Sequence, residues 1–150
     1  MIDDFKPHID RLKSSGLRAT KQRLAICKIL FNRLDTFHFT IENLKEITEK
    51  DIKNKISLAT IYNTVNAFKK QGHLKEISLS GNKTFFDTNT KNHHHFYDED
   101  TGKIFDIKND NILVSKVPRT PVGKKITEIE VTVRIASDNH EQKKTVKTIT

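Results

Sequence analysis

The chain contains no tryptophan, one methionine and a single cysteine among its 150 residues. One thiol forms no intramolecular disulfide, and it excludes any Cys-x-x-Cys zinc site inside the chain. That cysteine, Cys27, sits among apolar residues at helical spacing and reads as a buried, inert thiol. Glycine and proline are also scarce, at five and three, which excludes collagen-like and low-complexity linker classes. No apolar run is long enough to cross a bilayer. The opening MIDDFKPHIDR lacks the basic-then-apolar order of a secretory signal. A cytoplasmic protein that makes no membrane contact is expected from these absences.

Charge is abundant, at 31% of residues, with a formal net charge of +8. It is unevenly placed. Residues 1–86 carry 16 Lys/Arg against 9 Asp/Glu, an excess of seven, whereas residues 87–150 carry 11 against 10. A basic first half suggests a polyanionic partner.

The first half reads as helices followed by a hairpin. A short helix over 3–14 tolerates Pro7 in its first turn. Thr20 caps a second helix with Leu24, Cys27, Leu30, Phe31 and Leu34 on its apolar side. Thr40 caps a third, with Ile41, Leu44 and Ile47 turned inward. Ser57 caps a fourth, SLATIYNTVNAFKKQG, which stops at Gly72. There Leu58, Ile61, Val65 and Phe68 share one face, and Tyr62, Asn63, Asn66 and Lys70 lie opposite. LKEISL, the turn SGNK and TFFD then form a β-hairpin. Helices followed by a hairpin in this order make a winged helix, with the fourth helix as reader and the hairpin as wing.

On the reader helix, Tyr62 suits a thymine methyl or a phosphate, and Asn63 and Asn66 suit adenine edges. Lys69, Lys70 and Lys75 suit the DNA backbone. Arg18 and Lys21 flank the second helix, and Arg18 suits the minor groove of an A·T-rich flank.

The second half opens on His93-His94-His95. HHHFY and KIFDI, separated by the acidic turn DEDTG, read as a second hairpin; Asp98-Glu99-Asp100 is its solvated tip. DNILVSKV reads as a short helix, RTPVGKK as a loop, and ITEIEVTVRIA as a half-buried strand through Ile129, Val131, Val133 and Ile135. On a strand, His93 and His95 face one side and His94 the other. Two imidazoles at i and i+2 chelate one metal ion, with a carboxylate or further histidine completing the set. Asp87 and Asp106 lie nearby in sequence. His38, at the start of the third helix, supplies a ligand from the first half and so links ion occupancy to domain orientation. Imidazole also ligates haem iron, which makes His93, His94 and His95 a candidate haem site. His8, His73 and His140 read as surface residues.

The expected fold is α+β. It comprises a winged helix of three or four helices with a β-wing over 1–87, a hinge at 88–92, a small C-terminal α/β dimerisation and sensing domain over 93–136 with a three-stranded antiparallel sheet, and a polar tail over 137–150. A unit as small as the second buries little by itself, so a homodimer is expected. No HExxH, P-loop or nucleophile elbow is present, so an enzyme is not expected.

GLRATKQR, SLATIYNTVNAFKKQGHLKEI and GNKTFFDTNT…HHHFY…GKIFDI together resemble the ferric uptake regulator family. SLATIYNT, KTFFDTNT and the unbroken HHHFY most resemble its iron response regulator branch. The resemblance implies a dimeric transcription factor for iron- and haem-related genes, bound to an A·T-rich palindromic operator on double-stranded DNA and controlled by haem or by a divalent metal (Fe, Mn or Zn). It maps an inter-domain metal site onto His38, Asp87, His93, His95 and Asp106, the reading tyrosine onto Tyr62 and a basic contact onto Arg18. The alternatives are a peroxide- or manganese-sensing regulator of the same family and, remotely, a small metal-dependent enzyme whose histidine cluster holds a catalytic ion. The sequence departs from the family twice. Asp98 and Thr101 stand where many members begin a Cys-x-x-Cys zinc motif, and Cys27 precedes Lys28 rather than the proline of a haem motif.

Overall fold

The computed structural model describes residues 5–79, 81 and 83–138. These fall into two compact units that divide between Thr90 and Lys91.

The first unit is built from four helices and a small sheet. Helix α1 (Lys6–Ser14) carries Pro7 in its first turn. Helices α2 (Lys21–Phe31), α3 (Ile41–Ile52) and α4 (Leu58–Lys70) each start at a hydroxyl cap: Thr20, Thr40 and Ser57 accept the N–H groups of Arg23, Asn43 and Thr60. Each cap satisfies one of the amides that the first turn leaves without an intrahelical partner. Gly72, with φ +79°, ends α4 in the left-handed region, where the His73 N–H reaches back to the Phe68 carbonyl at 2.9 Å.

Leu12, Ile26, Cys27, Leu30, Leu44, Ile61, Val65 and Phe68 form the core of this unit. Burying each large apolar side chain favours the fold by roughly 1.5–3 kcal/mol. Glu49 of α3 accepts both the Lys45 ammonium at 2.6 Å and the Ile56 N–H at 3.0 Å, which pins the turn that launches α4. The Lys45 hydrogen bond, aided by the Ile56 N–H, holds the Glu49 carboxyl below its ordinary range.

Three features of this unit differ from the sequence expectation. Leu34 lies beyond the end of α2 and is fully exposed; the helix closes at Phe31, a turn before the apolar periodicity runs out. Leu58 is 49% exposed rather than inward. It stands in the first turn of α4, where the supporting core begins only at Ile61. His8 is buried, not at the surface. His140 and residues 139–150 of the expected tail lie outside the described residues.

The sheet of the first unit has three strands in the order β1 (His38–Phe39), β3 (Thr84–Asp87), β2 (Lys75–Ser78), all antiparallel. The hairpin β2–β3 forms from LKEISL and TFFD as expected. The strand β1 is too short for period-two alternation to reveal it, and it places His38 directly opposite Asp87. His38 therefore belongs to a strand rather than to the start of the third helix.

The second unit is a sheet in the order β5 (Ile104–Lys108), β4 (His93–Asp98), β6 (Thr132–Ile135). The β4–β5 hairpin is antiparallel, as expected, but β6 runs parallel to β4, with Phe96 opposite Val133. The three-stranded sheet is therefore mixed. The long connection over 112–131 brings the chain back in the same direction as β4 instead of reversing it. The expected strand through Ile129 and Val131 is regular only over β6. The helix expected at DNILVSKV is absent: a single 3-10 turn at Asn109–Asn111 forms and the chain continues irregularly. A helix that short gains its stability from packing, and Leu113 and Val117 are exposed. Pro118 also disfavours helical geometry at Val117.

Candidate metal and nucleic-acid sites

In the second unit, alternation along β4 sends His93, His95 and Tyr97 to one face and His94 and Phe96 to the other. Register with β5 sets Asp106 opposite His95. His93 Nε2 and His95 Nε2 approach the same carboxylate oxygen, Asp106 Oδ1, at 3.2 and 3.4 Å. Their rings stand 4.4 Å apart, edge to face. The two imidazoles are 4% and 2% exposed.

His93 Nδ1 lies 2.5 Å from the Lys91 carbonyl oxygen. A carbonyl only accepts, so Nδ1 carries the proton and donates it. In the neutral ring this leaves Nε2 with its lone pair on the Asp106 side. A carbonyl behind one ring nitrogen, with the other nitrogen turned to a shared point, is the support that metal-bound histidine uses. Two buried imidazole nitrogens and a carboxylate oxygen are thus gathered with their acceptor atoms facing each other, a donor set that fits a divalent transition ion.

The first unit holds a second carboxylate–imidazole pair. Asp87, fully buried, places Oδ2 3.0 Å from His38 Nε2. Its other oxygen accepts the Asn89 N–H at 2.8 Å, which orients the carboxylate.

His94 is turned away from these groups. Its Nδ1 accepts the Val131 N–H at 3.0 Å, so the histidine triplet does not converge on one point. The acidic tip is structural: Asp98 accepts the N–H groups of Asp100 and Thr101, and Asp100 accepts both the N–H and the hydroxyl of Ser137. Hydrogen bonding, first from Thr101 and first from Ser137 respectively, lowers both carboxyl pKa values.

Helix α4 presents Tyr62 at 55% exposure, with Asn63 and Lys70 also exposed and Asn66 half-buried. Asn63, Asn66 and Lys70 line one shallow groove with Ser15, Ala67 and Gln71. No residue of α4 carries a carboxylate. Arg18 and Lys21 are exposed, and the Arg23 guanidinium donates to the Arg18 carbonyl at 3.0 Å, which braces that turn. Lys69, expected at the DNA backbone, is instead paired with Glu76. The sequence reading missed Leu58, which lies one helical turn before Tyr62 and makes with it an exposed apolar pair. Helical periodicity marks Leu58 as inward; the signal it lacks is how far the core extends beneath the first turn. Among the described residues, no helix is long and apolar enough to cross a membrane.

Comparison with known proteins gives a consistent result. The model of the ferric uptake regulator family matches residues 14–134. The peroxide-responsive repressor PerR of Staphylococcus aureus is 36% identical over 105 residues, covering 70% of this chain and 69% of the repressor. Among solved structures, the ferric uptake regulator of Vibrio cholerae is similar with a TM-score of 0.64 at 22% identity, covering 86% of this chain and 98% of the other. The ferric uptake regulator of Helicobacter pylori, described as having three functional metal binding sites, gives a TM-score of 0.65 at 17% identity over 93% and 95%.

Proposed function

The chain belongs to the ferric uptake regulator family, whose members are transcriptional regulators and not enzymes, and from that premise we propose a homodimeric DNA-binding regulator of iron metabolism. Its hold on an A·T-rich palindromic operator depends on a divalent ion. His93, His95 and Asp106 of the second unit hold the ion, while His38 and Asp87 of the first unit form a carboxylate–imidazole pair of their own. The carrying observation is the convergence of two buried Nε2 atoms on one Asp106 oxygen, with the His93 tautomer set by the Lys91 carbonyl. A nitrogen–oxygen set without thiolate suits Fe(II), Mn(II) or Zn(II). A divalent ion held there would supply the positive charge that the Asp106 carboxylate and the two imidazole nitrogens are placed to balance. The residues supply its selectivity and its protection from water.

Tyr62, Asn63, Asn66 and Lys70 read the duplex, and Arg18 and Lys21 hold its backbone. Phe96 and Phe105, paired across β4 and β5 and both exposed, offer the apolar surface for a second copy. Haem fits less well than an ion, because all three imidazoles of the triplet are almost fully buried and His94 faces away from the other two.

The test is fluorescence polarisation of a labelled palindromic duplex with metal-free protein, then with Mn(II), Fe(II) under anaerobic conditions, Zn(II) or haem. A gain in affinity of about tenfold or more with a divalent ion is expected, within the usual range of allosteric coupling. It should vanish in His93→Ala/His95→Ala. Indifference to every metal and to haem would remove the sensing role.

A second reading, a peroxide sensor using the same ligands, is favoured by the 36% identity to a protein named as a peroxide-responsive repressor. After Fe(II) loading and hydrogen peroxide, mass spectrometry would then find oxygen added to the peptides carrying His38, His93 or His95. Unmodified histidines, with DNA affinity unchanged by peroxide, would leave the iron reading alone.

A further inference from the structure

Between the 3-10 turn and β6 the chain runs through residues 112–131 with no regular element. Segments of this length without structure are uncommon in compact domains, and those that are ordered are usually functional. This one is basic. Residues 111–127 contain Lys116, Arg119, Lys124 and Lys125 and no carboxylate. The rest of residues 87–150 then carries 7 Lys/Arg against 10 Asp/Glu. The arm thus carries a net excess of four cations while the rest of this half is net acidic.

The four cations are exposed, and within the described residues none is paired with a carboxylate. By contrast Lys6, Lys45, Lys50, Lys69 and Arg134 each hold a carboxylate. The arm is also partly preorganised. Pro118 and Pro121 fix φ at two positions. The Lys124 N–H donates to the Pro121 carbonyl at 3.0 Å, and the Thr120 hydroxyl donates to the Lys124 carbonyl at 2.8 Å. Gly123, at φ +77°, lets this turn close. Less chain entropy is therefore lost when the arm meets a partner.

We propose that residues 116–125 form a second, sequence-indifferent contact with the phosphate backbone of DNA, separate from the reader helix. This rests on the DNA-binding reading above. Phosphate is the anion that four unpaired, solvated cations match without base-edge geometry. Once the reader helix engages, the arm meets the same duplex at high effective concentration. An anionic membrane fits less well, because the apolar residues of the arm are not gathered on the face of an amphipathic helix.

The experiment measures duplex affinity against salt for the wild type and for Lys116→Gln/Arg119→Gln/Lys124→Gln/Lys125→Gln, using the operator and a scrambled duplex. Each neutralised phosphate contributes about 0.9 to the slope of log affinity on log salt. The variant should lose about 2–4 from that slope per chain, weaken on both duplexes by the same factor of about tenfold or more at low salt, and keep its circular dichroism. The paired variants Lys116→Gln/Arg119→Gln and Lys124→Gln/Lys125→Gln should each lose about half, which preserves the test if the quadruple variant folds poorly. An unchanged slope, with Tyr62→Ala still weakening operator binding, overturns the arm and leaves the DNA reading intact. Wild-type protein that binds neither duplex overturns both. Sedimentation of wild type but not variant with phosphatidylserine-containing vesicles, at unchanged DNA slope, overturns the arm in favour of a membrane surface.

Discussion

Cys27 should be chemically silent in the native protein, and the size of the effect follows from its surroundings. It has no solvent exposure and packs in the core with Leu12, Ile26, Leu30 and Phe68. Burial pushes its pKa from 9.0 to about 12, and the nearby Arg11 guanidinium offsets only part of that rise. The thiolate is the reactive form. At pH 8 a thiol of pKa 9 is about one-tenth ionised, whereas one of pKa 12 is ionised in about one molecule in ten thousand. Alkylation should therefore be about a thousandfold slower than for the unfolded chain, before steric exclusion adds to it.

The assay is iodoacetamide at pH 8 on native and urea-unfolded protein, followed by mass spectrometry of the Cys27 peptide. Native protein alkylated within tenfold of the unfolded rate would refute the argument. The sign extends to stability. Because the fold raises this pKa, the contribution of Cys27 is complete below pH 9 and is lost as pH climbs toward 12. Cys27→Ala should lack that alkaline component. An oxidant response through Cys27 is therefore not expected, because the sole thiol is buried and un-ionised.

Three further outcomes follow from the first unit. Phe68→Ala, at a fully buried site, should cost about 3–5 kcal/mol in chemical denaturation, and a cost below 1 kcal/mol would contradict the core described here. Leu58→Ala and Tyr62→Ala should each change stability by less than about 0.5 kcal/mol yet weaken operator binding more than binding to a scrambled duplex, as read by polarisation; equal losses on both duplexes would deny them a reading role. His73 packs edge-on against Phe31 and Phe68, and burial, then the charge of Arg11, lowers its pKa. Its contribution is thus present above pH 6.5 and lost as pH falls through the lower folded value, so His73→Gln should flatten the acid side of a stability-against-pH curve.

The helices were legible because their signals are local. Thr20, Thr40 and Ser57 cap where hydroxyl side chains before apolar periodicity place them, and Ile61, Val65 and Phe68 are inward as their spacing requires. The wing and the second hairpin were legible from alternation bounded by turns. What failed depends on surfaces that spacing does not encode. Leu34 and Leu58 continue an apolar rhythm past the end of the core that would cover them. Residues 110–117 show spaced apolar residues, but the run is rich in β-branched residues and is followed by Pro118, both of which disfavour a helix. The parallel pairing of β6 is set by the route of the arm, and the two-residue strand β1 carries too few positions to show a period. The spacing of His93 and His95 on one strand face could be read from the sequence, but the Lys91 carbonyl behind His93 Nδ1 is a backbone fact that no side-chain motif carries.

Within the first unit, Asp87 stands on a continuous run of contacts that reaches helix α4. Asp87 ends β3, and β3 is hydrogen-bonded on one side to β1, where His38 stands opposite it, and on the other to β2, where Lys75 stands opposite it. Strand β2 follows α4 after Gly72, and Glu76 on that strand holds Lys69 on the helix. A pull on the Asp87 carboxylate therefore acts on a strand tied, through one ladder and one ion pair, to the C-terminal turn of the helix that carries Tyr62. Such a chain of contacts is necessary for coupling but does not set its size. An ion bound equally well in the DNA-competent and incompetent arrangements shifts neither, however tightly it is held. The regulatory energy is the difference between those two affinities, typically 1–3 kcal/mol or about 5- to 150-fold. With Asp87 fully buried and both its oxygens engaged, displacing that carboxylate would cost specific hydrogen bonds, and a difference of that kind is what coupling requires.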